Sequence, residues 1–280
     1  MTIIKAAATL GILALIAVGF TLVHLPILKF FPSKVHVLPH IFHRIILQLL
    51  NIKLDIEGSL VPSPALLTVN HISWLDISVL GALGNITFIA KKEVAGWPGF
   101  GILAKLQRSV FVDRKNPRQA IAAKHQIQER FDLKERIVLF AEGTSSDGNR
   151  VLPFRTPLFS VASHRLVGGD EIRLQPVSLA YTHLHGLPID RPLRPKFAWY
   201  GDMSMVPHVW ELLCLGPIDV KIILHAPVTL SKFENRKQLA AYCEARVRSG
   251  FLSALLGRPV QIQTEPDQQN QGATSTLLPS

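Results

Sequence analysis

The chain has only two cysteines in 280 residues, Cys214 and Cys243. They stand far apart and in no metal-ligand spacing, so neither a disulfide framework nor a zinc ribbon organises the fold, and both are expected to be ordinary buried thiols. Acidic residues are also scarce: 20 Asp and Glu against 30 Lys and Arg leave a formal charge of +10. Such an excess suits an anionic membrane surface or nucleic acid. The basic residues are scattered rather than gathered on one helix, and no fingerprint of a nucleic-acid module is present, so the expected partner is an anionic membrane surface and not nucleic acid. A Gly-x-Ser-x-Gly elbow is missing too, which leaves a serine nucleophile of the hydrolase kind without its platform. No internal repeat is apparent.

Apolar residues, by contrast, are plentiful, at 48% of the chain with a mean hydropathy of +0.26. They concentrate at the amino terminus, where Ala6 to Val23 runs for 18 residues without a charge or strongly polar group, and Leu25 to Phe31 extends the run with one lysine. About 20 such residues span a bilayer core. A cleaved signal peptide is the rival reading, but the run exceeds the usual apolar region of roughly 7–15 residues and no small-x-small cleavage site follows. Residues 1–34 are therefore expected to be a retained transmembrane or membrane-embedded anchor. Lys29, Lys34 and Arg44 follow it while only Lys5 and the amino group precede it, which favours the carboxyl side of the anchor in the cytoplasm.

Behind the anchor, Val35 to Leu50 mixes apolar residues with His and Arg at helical spacing, as an interfacial helix would. His36, His40 and His43 are spaced four and three, but Pro39 is expected to interrupt a shared helical face and no carboxylate lies nearby. No metal site is expected there; the histidines would sit at headgroup level.

Period-two alternation over 51–58, and apolar runs at 65–69, 85–90, 109–112, 136–141, 172–180 and 220–226, read as strands. Asn116-Pro117 supplies a cap and first-turn proline for a helix to about Phe131, and Ser231-Lys232-Phe233-Glu234 has the pattern of a capping box opening a helix through Arg248. Strands alternating with helices predict an α/β domain over 35–260, with a mixed sheet flanked by helices. Residues 261–280 turn polar, rich in Gln and Asn and poor in aromatics, and are expected to form a disordered tail.

The chemistry begins at Asn70-His71-Ile72-Ser73-Trp74-Leu75-Asp76. Five residues turn a straight helix by about 140°, and an odd step on a strand points to the opposite face, so His71 and Asp76 meet only across a turn. A strand ending at His71 and a helix starting near Ser73 would bring them together. An imidazole held by a carboxylate is a general base with a fixed tautomer. Such a pair alone occurs often by chance.

Three further blocks follow: Phe111-Val112-Asp113-Arg114, then Phe140-Ala141-Glu142-Gly143-Thr144-Ser145-Ser146-Asp147-Gly148, then Leu174-Gln175-Pro176-Val177-Ser178. In order and spacing, over roughly residues 60 to 230, the chain resembles the glycerolipid acyltransferase family, whose best known members acylate lysophosphatidic acid. The resemblance implies an acyltransferase that moves a fatty acyl group from an acyl thioester to a lipid hydroxyl. His71 would be the base and Asp76 its orienting partner. Arg114, Glu142, Gly143 and Thr144 would line the acceptor site, with Arg155 at a position usually basic in the family. The donor would be acyl-carrier protein or acyl-CoA as cosubstrate, with no bound cofactor or metal; an acidic carrier protein suits the basic chain, and Lys91 and Lys92 would greet either carrier or headgroup. Ser73 is a conceivable nucleophile, but the thioester is already activated and direct transfer is favoured.

Two departures from the family stand out. Members that use lysophosphatidic acid usually read Glu-Gly-Thr-Arg, and the arginine is a natural phosphate ligand; here that position is Ser145. The run from Glu142 to Arg150, with Ala198-Trp199-Tyr200-Gly201-Asp202-Met203 downstream, looks more like the bacterial branch that acylates lyso-ornithine lipid, a phosphorus-free lipid whose acceptor is a secondary hydroxyl. Lysophosphatidic acid is the alternative acceptor. The second departure is Arg108, where the family more often has glycine.

Overall fold

The computed structural model describes residues 3–31, 34–113, 117–166 and 168–259. Arg114, Asn116 and the tail over 261–280 lie outside the described residues. Eight strands form one mixed sheet: β1 (Ile52–Glu57), β2 (Ala65–Val69), β3 (Ile86–Lys91), β4 (Val110–Val112), β5 (Arg136–Phe140), β6 (Arg173–Leu184), β7 (Leu187–Pro188) and β8 (Ile218–Leu224). Their order is β1-β8-β6-β2-β5-β3-β4, with β7 a short hairpin partner of β6. Only β6 with β8 and β6 with β7 are antiparallel; the other neighbours are parallel. The helices are α1 (Ile3–Phe30), α2 (Val37–Leu49), α3 (Asp76–Gly81), α4 (Phe100–Leu106), α5 (Pro117–Asp132), α6 (Met205–Leu215) and α7 (Arg236–Leu256).

The expected mixed sheet flanked by helices is what forms, with strand ends displaced by one or two residues except for β6, which runs on to Leu184 as a hairpin arm. The central strand β2 lies between β5 and β6 and is buried at all five positions. A parallel strand covered on both faces is a continuous apolar run rather than an alternating one, which is why Ala65-Leu66-Leu67-Thr68-Val69 carries almost no polarity.

Two sequence expectations are corrected. The helix expected to open at Ser231 opens at Arg236: Ser231 is spent in a short 3-10 turn, and the Asn235 side chain caps the helix by accepting from Lys237 N at 2.9 Å and Gln238 N at 3.1 Å. Serine and asparagine are comparable caps, but Ser231 is engaged elsewhere, its N–H donating to Glu171 and its hydroxyl pairing with Thr229. Pro39, expected to interrupt its helix, lies inside the first turn of α2, where backbone N–H groups have no helical acceptor to lose.

The three histidines of this segment bond within the protein. His36 Nε2 lies 3.2 Å from Glu135, His40 Nδ1 is 3.3 Å from Gly81 O, and His43 Nδ1 is 3.3 Å from Ser78 Oγ. Gly81 is required there, because a Cβ would run into the His43 ring. Burial pushes the His43 imidazole down to about 4. On its exposed side α2 carries Val37, Ile41 and Ile45, spaced one turn apart, beside Arg44 and Gln48.

Helix α1 lies along the domain, flanked by α2, α4 and α6. Ala6, Phe20 and His24 are its buried residues. Phe20 packs on Phe42 of α2 at 4.4 Å between centroids, and His24 Nε2 reaches Leu106 O at 3.1 Å. Eighteen residues of helix separate Ala6 from His24, about 27 Å. Its outer side, including Leu15, Val18 and Leu22, is open.

Candidate active site

At the end of β2 the chain leaves the sheet, and Asn70 continues the pairing through its side chain: Nδ2 donates to Leu179 O and Oδ1 accepts from Leu179 N, both at 2.9 Å. The next residues wrap around the carboxylate of Asp76, which opens α3. Asp76 Oδ2 accepts from Ile72 N at 2.7 Å, from Ser73 N at 3.0 Å and from His71 Nδ1 at 2.8 Å, and Oδ1 accepts from the Tyr181 hydroxyl at 2.7 Å. The turn is thus the carboxylate itself, with α3 starting three residues later than expected. Because a carboxylate only accepts, Nδ1 of His71 carries the hydrogen and Nε2 keeps the lone pair. The imidazole stacks on Phe140, the last residue of β5, at 3.9 Å and 19°.

Glu142 ties this loop to the one after β5. Oε1 accepts from His71 N at 2.9 Å and Oε2 from Leu152 N at 3.0 Å, while Ser146 N donates to His71 O at 2.8 Å. With both oxygens engaged and 1% exposure, the Glu142 carboxyl sits behind the His71 loop. Burial pushes it up to about 8, against the two N–H donors; the charge of Asp76 adds to the rise and Arg248 opposes it. Gly143 follows at φ +73°, a conformation that side chains rarely adopt, so the chain can turn into the cavity there.

That cavity has a volume of about 1050 Å³. His71, Trp74 and Gly143-Thr144-Ser145 form its polar end, and Leu13, Ala17 and Phe20 of α1 with Phe42 and Ile46 of α2 wall its apolar extension. Lys91 and Val112 also line it. Trp74 is fixed by an indole N–H donated to His208 Nδ1 at 3.0 Å. Of the residues singled out in the sequence, His71, Gly143 and Thr144 face the cavity, with Asp76 and Glu142 behind them. Arg155 is exposed, its Nε donating to Glu142 O at 3.2 Å, outside the cavity wall. Arg114 lies outside the described residues. Ser73 is fully buried and does not line the cavity. Among the described residues no group of three or more His, Cys, Asp or Glu could hold a metal.

The Arg108 departure has a structural counterpart. Arg108 takes a left-handed φ of +62°, the conformation glycine favours, and its guanidinium lies 3.1 Å from the buried Glu135 carboxylate. Arg130 and His36 also face that carboxylate, and Thr87 donates to it. The ion pairs offset the backbone cost of an arginine where glycine would be at ease.

Sequence reasoning missed Tyr181, Phe140 and His208. Phe140 is recoverable as the last residue of an apolar run; Tyr181 carries no signal, since nothing in a sequence ties a tyrosine to an aspartate 105 residues earlier.

Comparison with known proteins gives the family and the fold. The acyltransferase family model matches residues 53–180. A lyso-ornithine lipid O-acyltransferase of Brucella abortus is 45% identical over 80% of this chain and 85% of its own length. The chain belongs to the acyltransferase family. The lyso-ornithine lipid O-acyltransferase of Rhizobium meliloti is 38% identical to this acyltransferase over 79% of this chain and 77% of its own length. The crystal structure of the 1-acyl-sn-glycerophosphate acyltransferase PlsC from Thermotoga maritima shares the fold, with a TM-score of 0.55 and 21% identity over 86% of this chain and 97% of that one. The acyltransferase thus joins an α/β sheet to a His71–Asp76 pair at the rim of a long apolar cavity.

Proposed function

We propose that this acyltransferase moves a fatty acyl group from an acyl thioester, carried on acyl-carrier protein or coenzyme A, to the secondary hydroxyl of lyso-ornithine lipid. The observation that carries the reading is the 2.8 Å bond from His71 Nδ1 to Asp76 at the wall of the cavity. His71 Nε2 takes the proton of the acceptor hydroxyl as its oxygen attacks the thioester carbonyl. The carbon–sulfur bond then breaks, and the leaving thiolate recovers the proton from the imidazolium. No acyl-enzyme is formed, in keeping with the buried Ser73.

The apolar walls of α1 and α2 hold the acyl chain. Gly143, Thr144 and Ser145 face the headgroup; Ser145 offers a hydroxyl where a phosphate-binding member would have arginine. The names of the relatives from Brucella abortus and Rhizobium meliloti support the same acceptor. Arg114 and Arg155 supply cations for an anionic group on either substrate, Arg155 from outside the cavity wall.

The acyltransferase sits at the cytoplasmic face of the bacterial inner membrane, and α1 lies in one leaflet. A helix packed against its own domain for about 27 Å cannot cross the bilayer without taking that domain with it. Its open face and the Val37, Ile41 and Ile45 stripe of α2 give the leaflet an apolar contact, and the cavity opens beside it to receive a lipid acceptor. The surplus of basic residues attracts anionic headgroups and an acidic carrier protein.

The test is acyl transfer by membranes containing the protein, given labelled acyl-carrier protein with lyso-ornithine lipid or lysophosphatidic acid in separate reactions. Product with lyso-ornithine lipid alone is expected. Product with lysophosphatidic acid alone would overturn the acceptor and assign phosphate binding to the arginines.

A further inference from the structure

Asp76 has two oxygens and they do different work. Oδ2 is saturated by His71 Nδ1 and two backbone N–H groups, whereas Oδ1 has the Tyr181 hydroxyl as its donor, at 2.7 Å. We propose that Tyr181 is a positioning residue for acyl transfer, which acts through Asp76 to set how firmly His71 holds the proton it takes from the acceptor. The inference rests on the reading of His71 as the base.

Asp76 is fully buried, and a buried carboxylate is tolerable only when its lone pairs are met. Tethering Oδ1 also stops the carboxylate from rotating, so Oδ2 stays aimed at the imidazole. Tyr181 is built to do this. It pairs with Val220 across β6 and β8, and the register shifts immediately afterwards, between Tyr181 and His183. A bulge of that kind re-aims the side chains beside it. The ring stacks on Phe197, which is fully buried, at 6.1 Å and 16°. Burial, followed by the charge of Asp76, holds the phenol well above its ordinary range, so it remains a donor throughout the working pH of the enzyme.

Tyr181→Phe removes the hydroxyl and keeps the ring. In the full-length enzyme kcat is expected to fall about 10-fold or more, the loss of a donor to a charged group, with KM for both substrates changed by less than about two-fold. The acidic limb of kcat/KM is expected to move to higher pH by roughly half a unit to one unit, because a less stabilised carboxylate makes the His71–Asp76 pair take up its proton sooner. 2,3-Difluorotyrosine at 181 keeps the shape and is a stronger donor, so its limb moves to lower pH; this arm decides the matter if Tyr181→Phe does not fold.

His71→Ala and Asp76→Asn run alongside. If either keeps the wild-type rate, the reading of the pair as the base fails and this inference with it. If both collapse while the limb is unmoved in the Tyr181 variants, the Tyr181 inference alone is overturned. A slower Tyr181→Phe enzyme that only melts earlier, with its limb in place, also overturns it, since lost packing would then account for the rate.

Discussion

At its polar end the cavity is walled by a loop whose groups are bonded in fixed directions: Asp76 accepts four hydrogen bonds and Glu142 two, from partners on β6 and the segments following β2 and β5. At its apolar end it is walled by α1, held by one ring contact to α2, one histidine bond to Leu106 O and otherwise by non-directional packing. The difference matches the two tasks. Proton transfer needs atoms placed to a few tenths of an ångström, which only directional bonds supply. A hydrocarbon chain needs dry volume, and apolar helix surface supplies that without specifying any one geometry.

The comparison can be broken most decisively at the polar end. His71→Ala should cost 10²-fold to 10⁴-fold in transfer rate, roughly the range for losing a general base, with membrane attachment unchanged by flotation assay. Asp76→Asn keeps the shape but loses the charge; its rate should fall by a factor of the same order, and an enzyme of wild-type rate would deny Asp76 its orienting role.

The apolar end should respond in the opposite sense. Leu15→Glu with Leu22→Glu, both on the open side of α1, should shift the protein from membrane to supernatant. In detergent its rate should stay within about two-fold of wild type, because neither side chain touches the reacting groups. Loss of rate in detergent without loss of membrane binding would show that α1 shapes the site rather than the attachment.

A finer probe is pH. The Glu142 carboxyl rises from 4.5 unfolded to about 8 folded, so the folded state holds an extra proton between those values. Its contribution to stability is full below pH 4.5 and is lost as pH climbs through 8. Glu142→Gln has no such proton. The wild type should therefore lose stability relative to this variant between pH 5 and pH 9, by at most a few kcal/mol at about 1.4 kcal/mol per unit. Parallel denaturation curves at the two pH values would refute the shift. The smallest effect is expected from Ser145→Arg, which should raise the ratio of phosphate-bearing to phosphate-free acceptor used, and an unchanged ratio would remove Ser145 from the headgroup contact.

Much of this was legible because it is local. The strands of the central sheet announce themselves as apolar runs, and α1 as an uninterrupted one. His71 and Asp76 are close enough in the chain for a turn to be demanded between them. Other features were read wrongly for local reasons: Ser231 and Asn235 both suit a helix start, and only the 3-10 turn at 230–232 decides between them. Glu142 was recognised as a site residue, but which way its carboxylate points depends on backbone N–H groups 71 and 10 residues away.

The sequence by itself determined the mixed α/β sheet and the apolar amino-terminal helix, since each follows from periodicity within a few turns of chain, and the spacing of His71 and Asp76 set the turn that their pairing would need. Only the tertiary structure decided that α1 lies along the domain, that His36, His40 and His43 bond to the protein, and that Tyr181 completes the shell of Asp76. Those outcomes depend on burial and on hydrogen bonds between distant segments, and a buried polar atom takes whichever partner the closed fold brings to it.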